Sequence, residues 1–184
     1  RFMSNYSSGK MGYAIAMAAK AKGASVELIS GPVALNPITD IRTTYVETSS
    51  EMYEAVKEKV SDFDIFISTA AIADYKPANY SDTKYKKNEN NITIEFTRGI
   101  DILETISKKY KNLFTVGFAA ETNSLKENTQ QKLAKKNLDL IVGNIANHEL
   151  KLGFESDYNE VIILSNTNSK KISHDKKSNI ANKI

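Results

Sequence analysis

The chain contains no cysteine, which excludes disulfides, thiolate nucleophiles and zinc–thiolate centres. It has only two histidines, His148 and His174, far apart in sequence. That argues against a histidine-rich metal site and against a serine–histidine triad. No apolar run approaches the ~20 residues of a membrane-spanning helix, and no signal-peptide pattern opens the chain. There are no internal repeats and no low-complexity linkers. The net charge is +3 over 184 residues, too small to imply nucleic acid, and no basic stripe interleaves with aromatics. What is present is an ordinary globular composition, 41% hydrophobic and 26% charged, long enough for one domain with a sizeable core. A reducing cytoplasm is the default expectation for such a chain.

The familiar phosphate loops are also missing. Met3 to Gly12 reads M-S-N-Y-S-S-G-K-M-G. A Walker A loop requires G-x-x-x-x-G-K-[S/T], but here Ser4 replaces the first glycine and Met11 follows Lys10. Of the dinucleotide fingerprint G-x-G-x-x-G, only the last interval survives, as Gly9 and Gly12. Ser7, Ser8 and Gly9 nevertheless stand just before a helical pattern, where free backbone N–H groups and the helix dipole favour an anion. Ser7 or Ser8 acting as a plain N-cap is the competing reading, and the local sequence leaves both open.

Beyond this loop, helix-like and strand-like patterns alternate. Met11, Ile15, Ala18 and Ala19 recur at helical spacing, and Gly23 is placed to stop that helix. Ser25–Ser30 and Thr43–Glu47 read as strands. Met52, Ala55, Val56 and Val60 mark a helix, and Phe63–Thr69 a short apolar strand. A long polar segment, Ala70–Asn91, follows. Ile92–Phe96 then alternates like a strand, and Ile102, Ile106 and Tyr110 suggest a helix. Phe114–Phe118 (strand), Leu125–Lys136 (helix) and Leu138–Gly143 (strand) follow in turn. Glu160–Ser173 reads as a β-hairpin turning near Asn166–Ser169, before an irregular polar end. This alternation predicts an α/β fold, Rossmann-like and doubly wound, with a mostly parallel sheet, helices on both faces and a C-terminal β-hairpin. Residues 1–184 form one domain in this reading. Arg1 stands directly before a loop that should follow a strand, so a first strand is expected upstream. Ligands of such sheets bind beyond the carboxyl ends of the strands. There, Asn5, Asp74, Glu121 and Asn144 bring polar specificity among small residues.

Six segments occur in order: S-N-Y-S-S-G-K-M-G, S-G-P-V, A-A-I-A-D-Y-K-P, K-Y-K-K, V-G-F-A-A-E-T and Q-K-L-A-K-K-N-L-D-L-I-V-G-N. Together they resemble phosphopantothenate–cysteine ligase, which in many bacteria is the C-terminal half of a bifunctional coenzyme A biosynthesis protein. The resemblance covers nearly the whole chain. It implies that CTP activates phosphopantothenate as an acyl-cytidylate with release of pyrophosphate, and that the amine of cysteine then displaces CMP. It also implies magnesium with the triphosphate, a homodimer with shared active sites, and a decarboxylase domain upstream. Such chemistry relies on positioning and charge neutralisation rather than a protein nucleophile.

The same resemblance assigns residues. Asn5 would hold the reacting carboxyl group, and Ser7, Gly9 and Gly12 the nucleotide phosphates. Ala70, Ala71 and Asp74 would surround the substrates, and Arg1 would reach phosphopantothenate in the neighbouring protomer. A flap over about residues 76–90 would bring Lys84 of the K-Y-K-K run (with Lys86 and Lys87) to the triphosphate. Asp101, Ile102, Phe118, Lys132, Lys136 and Asn144 would complete the nucleotide site. From local sequence alone each has a plainer reading. Asn5 and Asp74 suit turns, Phe118 suits the core, the lysine run suits a solvated loop, and Lys132 and Lys136 suit a helix C-terminus. One departure from the family stands out: Gly99-Ile100 replaces the usual Asn-Pro before Asp101-Ile102. The alternatives outside this family are an NAD(P)-dependent reductase, since Tyr53/Lys57 and Tyr80/Lys84 form Y-x-x-x-K pairs, and a nucleotide-sensing module.

Overall fold

The computed structural model describes residues 5–79, 83, 93–121, 123–145 and 156–184. Helix α1 (Lys10–Ala21) starts behind Gly9, whose φ of 75° places the N-cap in the left-handed region that glycine tolerates. It ends at Lys22 and Gly23, where Gly23 at φ 87° lets the Ala24 N–H return to the Ala19 carbonyl. Strands β1 (Glu27–Ser30) and β2 (Arg42–Tyr45) pair in parallel. Helix α2 (Ser49–Lys59) opens with a capping box in which the Thr48 hydroxyl accepts from the Glu51 N–H and the Glu51 carboxylate accepts from the Thr48 N–H.

The central sheet has five strands in the order β3 (Ile65–Ser68), β6 (Phe114–Glu121), β7 (Leu140–Ile145), β8 (Tyr158–Ser165) and β9 (Ser169–Lys176). The β3–β6 and β6–β7 pairs are parallel, whereas β7–β8 and the hairpin β8–β9 are antiparallel. The α/β fold expected from the pattern is therefore present, and its central sheet is mixed. A separate antiparallel pair joins β4 (Tyr75–Pro77) to β5 (Phe96–Arg98). The remaining helices are α3 (Ile102–Lys109), α4 (Leu125–Lys135) and the short α5 (Lys177–Ala181).

Both faces of the five-stranded sheet are covered. On one face Val116, Val142, Val161 and Ile163 pack with Ile180 of α5 and Met11 of α1. On the other, Ala119, Ile141, Ile162 and Leu164 pack with Leu103 of α3 and Leu133 of α4. Neighbours along a strand point to opposite faces, so Val161–Leu164 supplies both layers. An unbroken apolar run is what a doubly covered strand needs. Ile29 of β1 and Phe66 of β3 meet in a third cluster with Val56, Val60, Ile102 and Ile106. Among the described residues β1 pairs only with β2, and β3 only with β6.

Three details depart from the sequence reading. The strand expected at 92–96 is found at 96–98, paired with a strand at 75–77 inside the segment read as a polar loop. The polar end contains α5, anchored by the fully buried Ile180. No side chain caps α1, because Gly9 rather than Ser7 or Ser8 is its N-cap.

Candidate active site at the carboxyl ends of the parallel strands

The segments expected to carry chemistry converge at the carboxyl edge of β3, β6 and β7. The Asn5 side-chain amide donates to the Ala71 carbonyl. This single contact ties the loop before α1 to the segment after β3. The start of α1 also lies close to β3, since a Cβ added to Gly12 would stand 2.6 Å from the Thr69 hydroxyl. Gly12 therefore has a packing reason to be glycine: it allows the first turn of α1 to approach the strand end. The backbone of Asp74 accepts from the Gly99 N–H at 2.8 Å. A Cβ at Gly99 would lie 3.3 Å from the Ala73 carbonyl, so the residue that departs from the family pattern sits tightly against the Ala70–Asp74 segment.

Asp101 has two visible tasks. Its carboxylate caps α3 by accepting from the Glu104 N–H at 3.0 Å, and it pairs with Lys136 at 2.7 Å. Burial opposes its ionisation, but the hydrogen bonds from Lys136 and the Glu104 N–H outweigh that and hold its carboxyl below the usual range. Lys132, one turn earlier on α4, lies 2.7 Å from Glu121 at the end of β6. The two lysines do share one helix face, and each meets a carboxylate from a distant segment. Asn144 closes the edge on β7, opposite Ala120 of β6. Ile102 is buried against α2 and β3. Phe118 packs on the α1 side of the sheet beside Met11 and Ile67.

Asn5, Ala71, Thr69 and Gly12 are thus brought together, as are Asp74, Gly99, Asp101 and Lys136. Ser7 and Gly9 stand between Asn5 and α1. Arg1, Lys84, Lys86, Lys87 and most of the expected flap lie outside the described residues. Sequence reasoning missed Thr69 as a partner of Gly12, and only the strand-end position of Thr69 hinted at it. A groove of about 650 Å³ lies elsewhere, along the Lys10–Tyr13–Met17 side of α1 against Leu35–Thr39 and Lys176–Ser178. It contains none of the expected site residues except through the neighbouring start of α1. Among the described residues no group of three or more His, Asp or Glu side chains is placed to hold a metal ion, and no helix is long and apolar enough to cross a membrane.

The architecture defines an α/β domain whose ligand cleft opens at the carboxyl edge of its parallel strands, beside a helix start and a cationic helix face. The chain belongs to the family described as DNA/pantothenate metabolism flavoprotein C-terminal domain, which it matches over residues 1–184. It is 45% identical over 166 residues to the coenzyme A biosynthesis bifunctional protein CoaBC of Vibrio vulnificus, covering 89% of this chain and 41% of the relative. It is 44% identical over 164 residues to the CoaBC of Bacillus subtilis, covering 89% of this chain and 40% of that protein. The chain thus spans about two fifths of the length of these relatives. A crystal structure of the C-terminal domain of a CoaBC protein superposes with a TM-score of 0.82 at 36% identity, covering 100% of this chain and 82% of the other. At 16% identity, a Cab2 variant in complex with phosphopantothenate-cysteine shares the fold, with a TM-score of 0.77, covering 98% of this chain and 77% of that one.

Proposed function

We propose that this domain joins phosphopantothenate to cysteine in coenzyme A biosynthesis, using CTP to form an acyl-cytidylate. The observation that carries this reading is the Asn5–Ala71 contact. It places the S-N-Y-S-S-G loop and the A-A-I-A-D segment, which the resemblance assigns to carboxyl activation, in one cleft. The family membership and the CoaBC relatives support the same assignment.

Activation requires the phosphopantothenate carboxylate to attack the α-phosphorus of CTP, breaking the bond to pyrophosphate. The cysteine amine then attacks the acyl carbon, CMP leaves, and the amine loses a proton. The side-chain amide of Asn5 is a neutral donor that orients the carboxyl group without repelling it. Ser7 and the backbone at Gly9, set at the start of α1, meet the phosphates, and Lys132, Lys136 and Lys84 offset their charge. The scarcity of clustered carboxylates fits magnesium held through phosphate oxygens and water rather than a protein cage. When bound, it would neutralise part of the triphosphate charge. Tyr75, Ile94, Phe96 and Ile100 are exposed on and around the β4–β5 arm. This apolar surface suits the second protomer of a homodimer.

The test is pyrophosphate release by the purified protein with CTP, phosphopantothenate and cysteine supplied together and singly. Ligase activity requires release that depends on CTP and phosphopantothenate, and a condensed product that depends on cysteine. CTP binding without turnover would indicate a sensor, and oxidation of NAD(P)H a reductase.

A further inference from the structure

We propose that Glu121 is the resident counter-anion of Lys132, and that a bound triphosphate takes its place at that ammonium group. The proposal rests on the nucleotide reading of the site above, and it adds a residue to which that reading gives no role.

Glu121 ends β6 at the carboxyl edge, and its side chain is only 12% exposed, whereas that of Lys132 is 45% exposed. One oxygen, Oε2, accepts from the Asn128 amide at 3.2 Å, which fixes the carboxylate on the sheet. The other, Oε1, stands 2.7 Å from the Lys132 Nζ, yet this buried oxygen makes no hydrogen bond of good geometry among the described residues. The pair is therefore held by charge rather than by a directed bond. Lys132 loses nothing directional when a phosphate oxygen replaces the carboxylate.

Asp101 is bound differently. It caps α3 and pairs with Lys136 in the same contact set, so displacing it would uncap a helix. The two lysines are thus unequal: Lys136 is fixed, and Lys132 is exchangeable. Without ligand the four charges cancel, which keeps the site from holding anions indiscriminately. The cancellation also weakens the hold on the nucleotide and on departing pyrophosphate, because Glu121 remains nearby to reclaim Lys132.

Replacing Glu121 with glutamine isolates the charge. Glutamine keeps the length, an oxygen near Lys132 and a partner for Asn128, so the lysine stays positioned while the competing anion disappears. Removing it should tighten anion binding, by at least about threefold for a half-exposed pair. The measurement is calorimetric titration of CTP and of inorganic tripolyphosphate into wild type, Glu121→Gln and Glu121→Asp, with thermal melts to confirm folding. Glu121→Gln should bind both ligands at least about threefold more tightly, while Glu121→Asp stays close to wild type. In a Lys132→Gln background the Glu121→Gln substitution should have no such effect. Equal or weaker binding of tripolyphosphate by Glu121→Gln overturns the proposal, as does tightening that persists without Lys132. Tightening for tripolyphosphate alone, with no CTP binding by wild type, keeps the counter-anion and sinks the nucleotide reading. A wild type that binds neither ligand overturns both.

Discussion

Gly12 occupies the third position of α1, where helix propensity alone favours alanine over glycine by about 1 kcal/mol. On that ground Gly12→Ala should stabilise the protein. The surroundings reverse the sign. The new Cβ would stand 2.6 Å from the Thr69 Oγ1 and 3.7 Å from the Thr69 Cβ, so either the hydroxyl rotates away or the first turn of α1 moves off the strand. Forcing a methyl group into such a contact costs roughly 1–3 kcal/mol. Setting that against the propensity gain, we expect a net loss of about 1 kcal/mol. In a Thr69→Ala background the obstructing oxygen is gone, and the same substitution should now gain up to about 1 kcal/mol. The expected coupling between the two sites is therefore about 2 kcal/mol. Urea unfolding followed by far-ultraviolet circular dichroism measures all four proteins, since the chain has no tryptophan to report. If Gly12→Ala stabilises the wild type, or changes stability equally in both backgrounds, the close approach of α1 to β3 is not what keeps this position glycine. Any displacement of α1 also shifts Ser7 and Gly9 relative to Asn5 and Ala71. Pyrophosphate release should therefore fall in Gly12→Ala and recover in the double variant.

Further expectations concern individual side chains. Asn5→Asp removes the donor to the Ala71 carbonyl and adds a charge beside the reacting carboxylate. Turnover should drop about a hundredfold with the fold intact, and unchanged steady-state turnover would remove Asn5 from the site. CTP should bind more tightly than ATP, and Lys132→Ala with Lys136→Ala should weaken it. Equal nucleotide affinities, or normal CTP binding by the double variant, would rule this out in calorimetry. Lys177 is buried, and desolvation together with the nearby Lys10 lowers its pKa to about 8 from 10.5. The unfolded chain therefore holds this proton more tightly, which costs stability fully below pH 8 and ceases to do so as pH rises through 10.5. Lys177→Met should raise stability at pH 7 by about 1–3 kcal/mol, with the gain shrinking toward pH 10.5. A gain that does not change with pH would contradict the shifted titration.

The repeating elements were legible because their periodicity is local. The apolar runs Val116–Phe118, Leu140–Val142 and Val161–Leu164 can only be strands covered on both sides, and Gly23 marks the end of α1 through its own backbone. What escaped depends on distant partners. Tyr75-Lys76-Pro77 has neither alternation nor β-branching, and it is a strand only because Phe96–Arg98 lies beside it. Lys177–Ala181 is too short and polar to signal a helix, and Ile180 holds it against the sheet. In the site, the i,i+4 spacing showed that Lys132 and Lys136 share a face. That spacing could not show that Glu121 and Asp101 meet them, because those carboxylates come from other elements. Gly12 was legible as a required glycine, but the reason lies in Thr69, far along the chain.

The one-sided pairing of β1 and β3 has a consequence for how this polypeptide behaves in solution. Each strand offers a ladder of main-chain donors and acceptors along the side that neither β2 nor β6 occupies, and Ile65 on β3 is 55% exposed. Unmatched ladders of this kind are adhesive toward any extended peptide of suitable register. Such edges recruit by backbone geometry more than by side-chain identity. At high protein concentration, self-association through these edges should therefore compete with whatever assembly the exposed β4–β5 arm supports. Light scattering across a dilution series should show the two processes as separate concentration dependences.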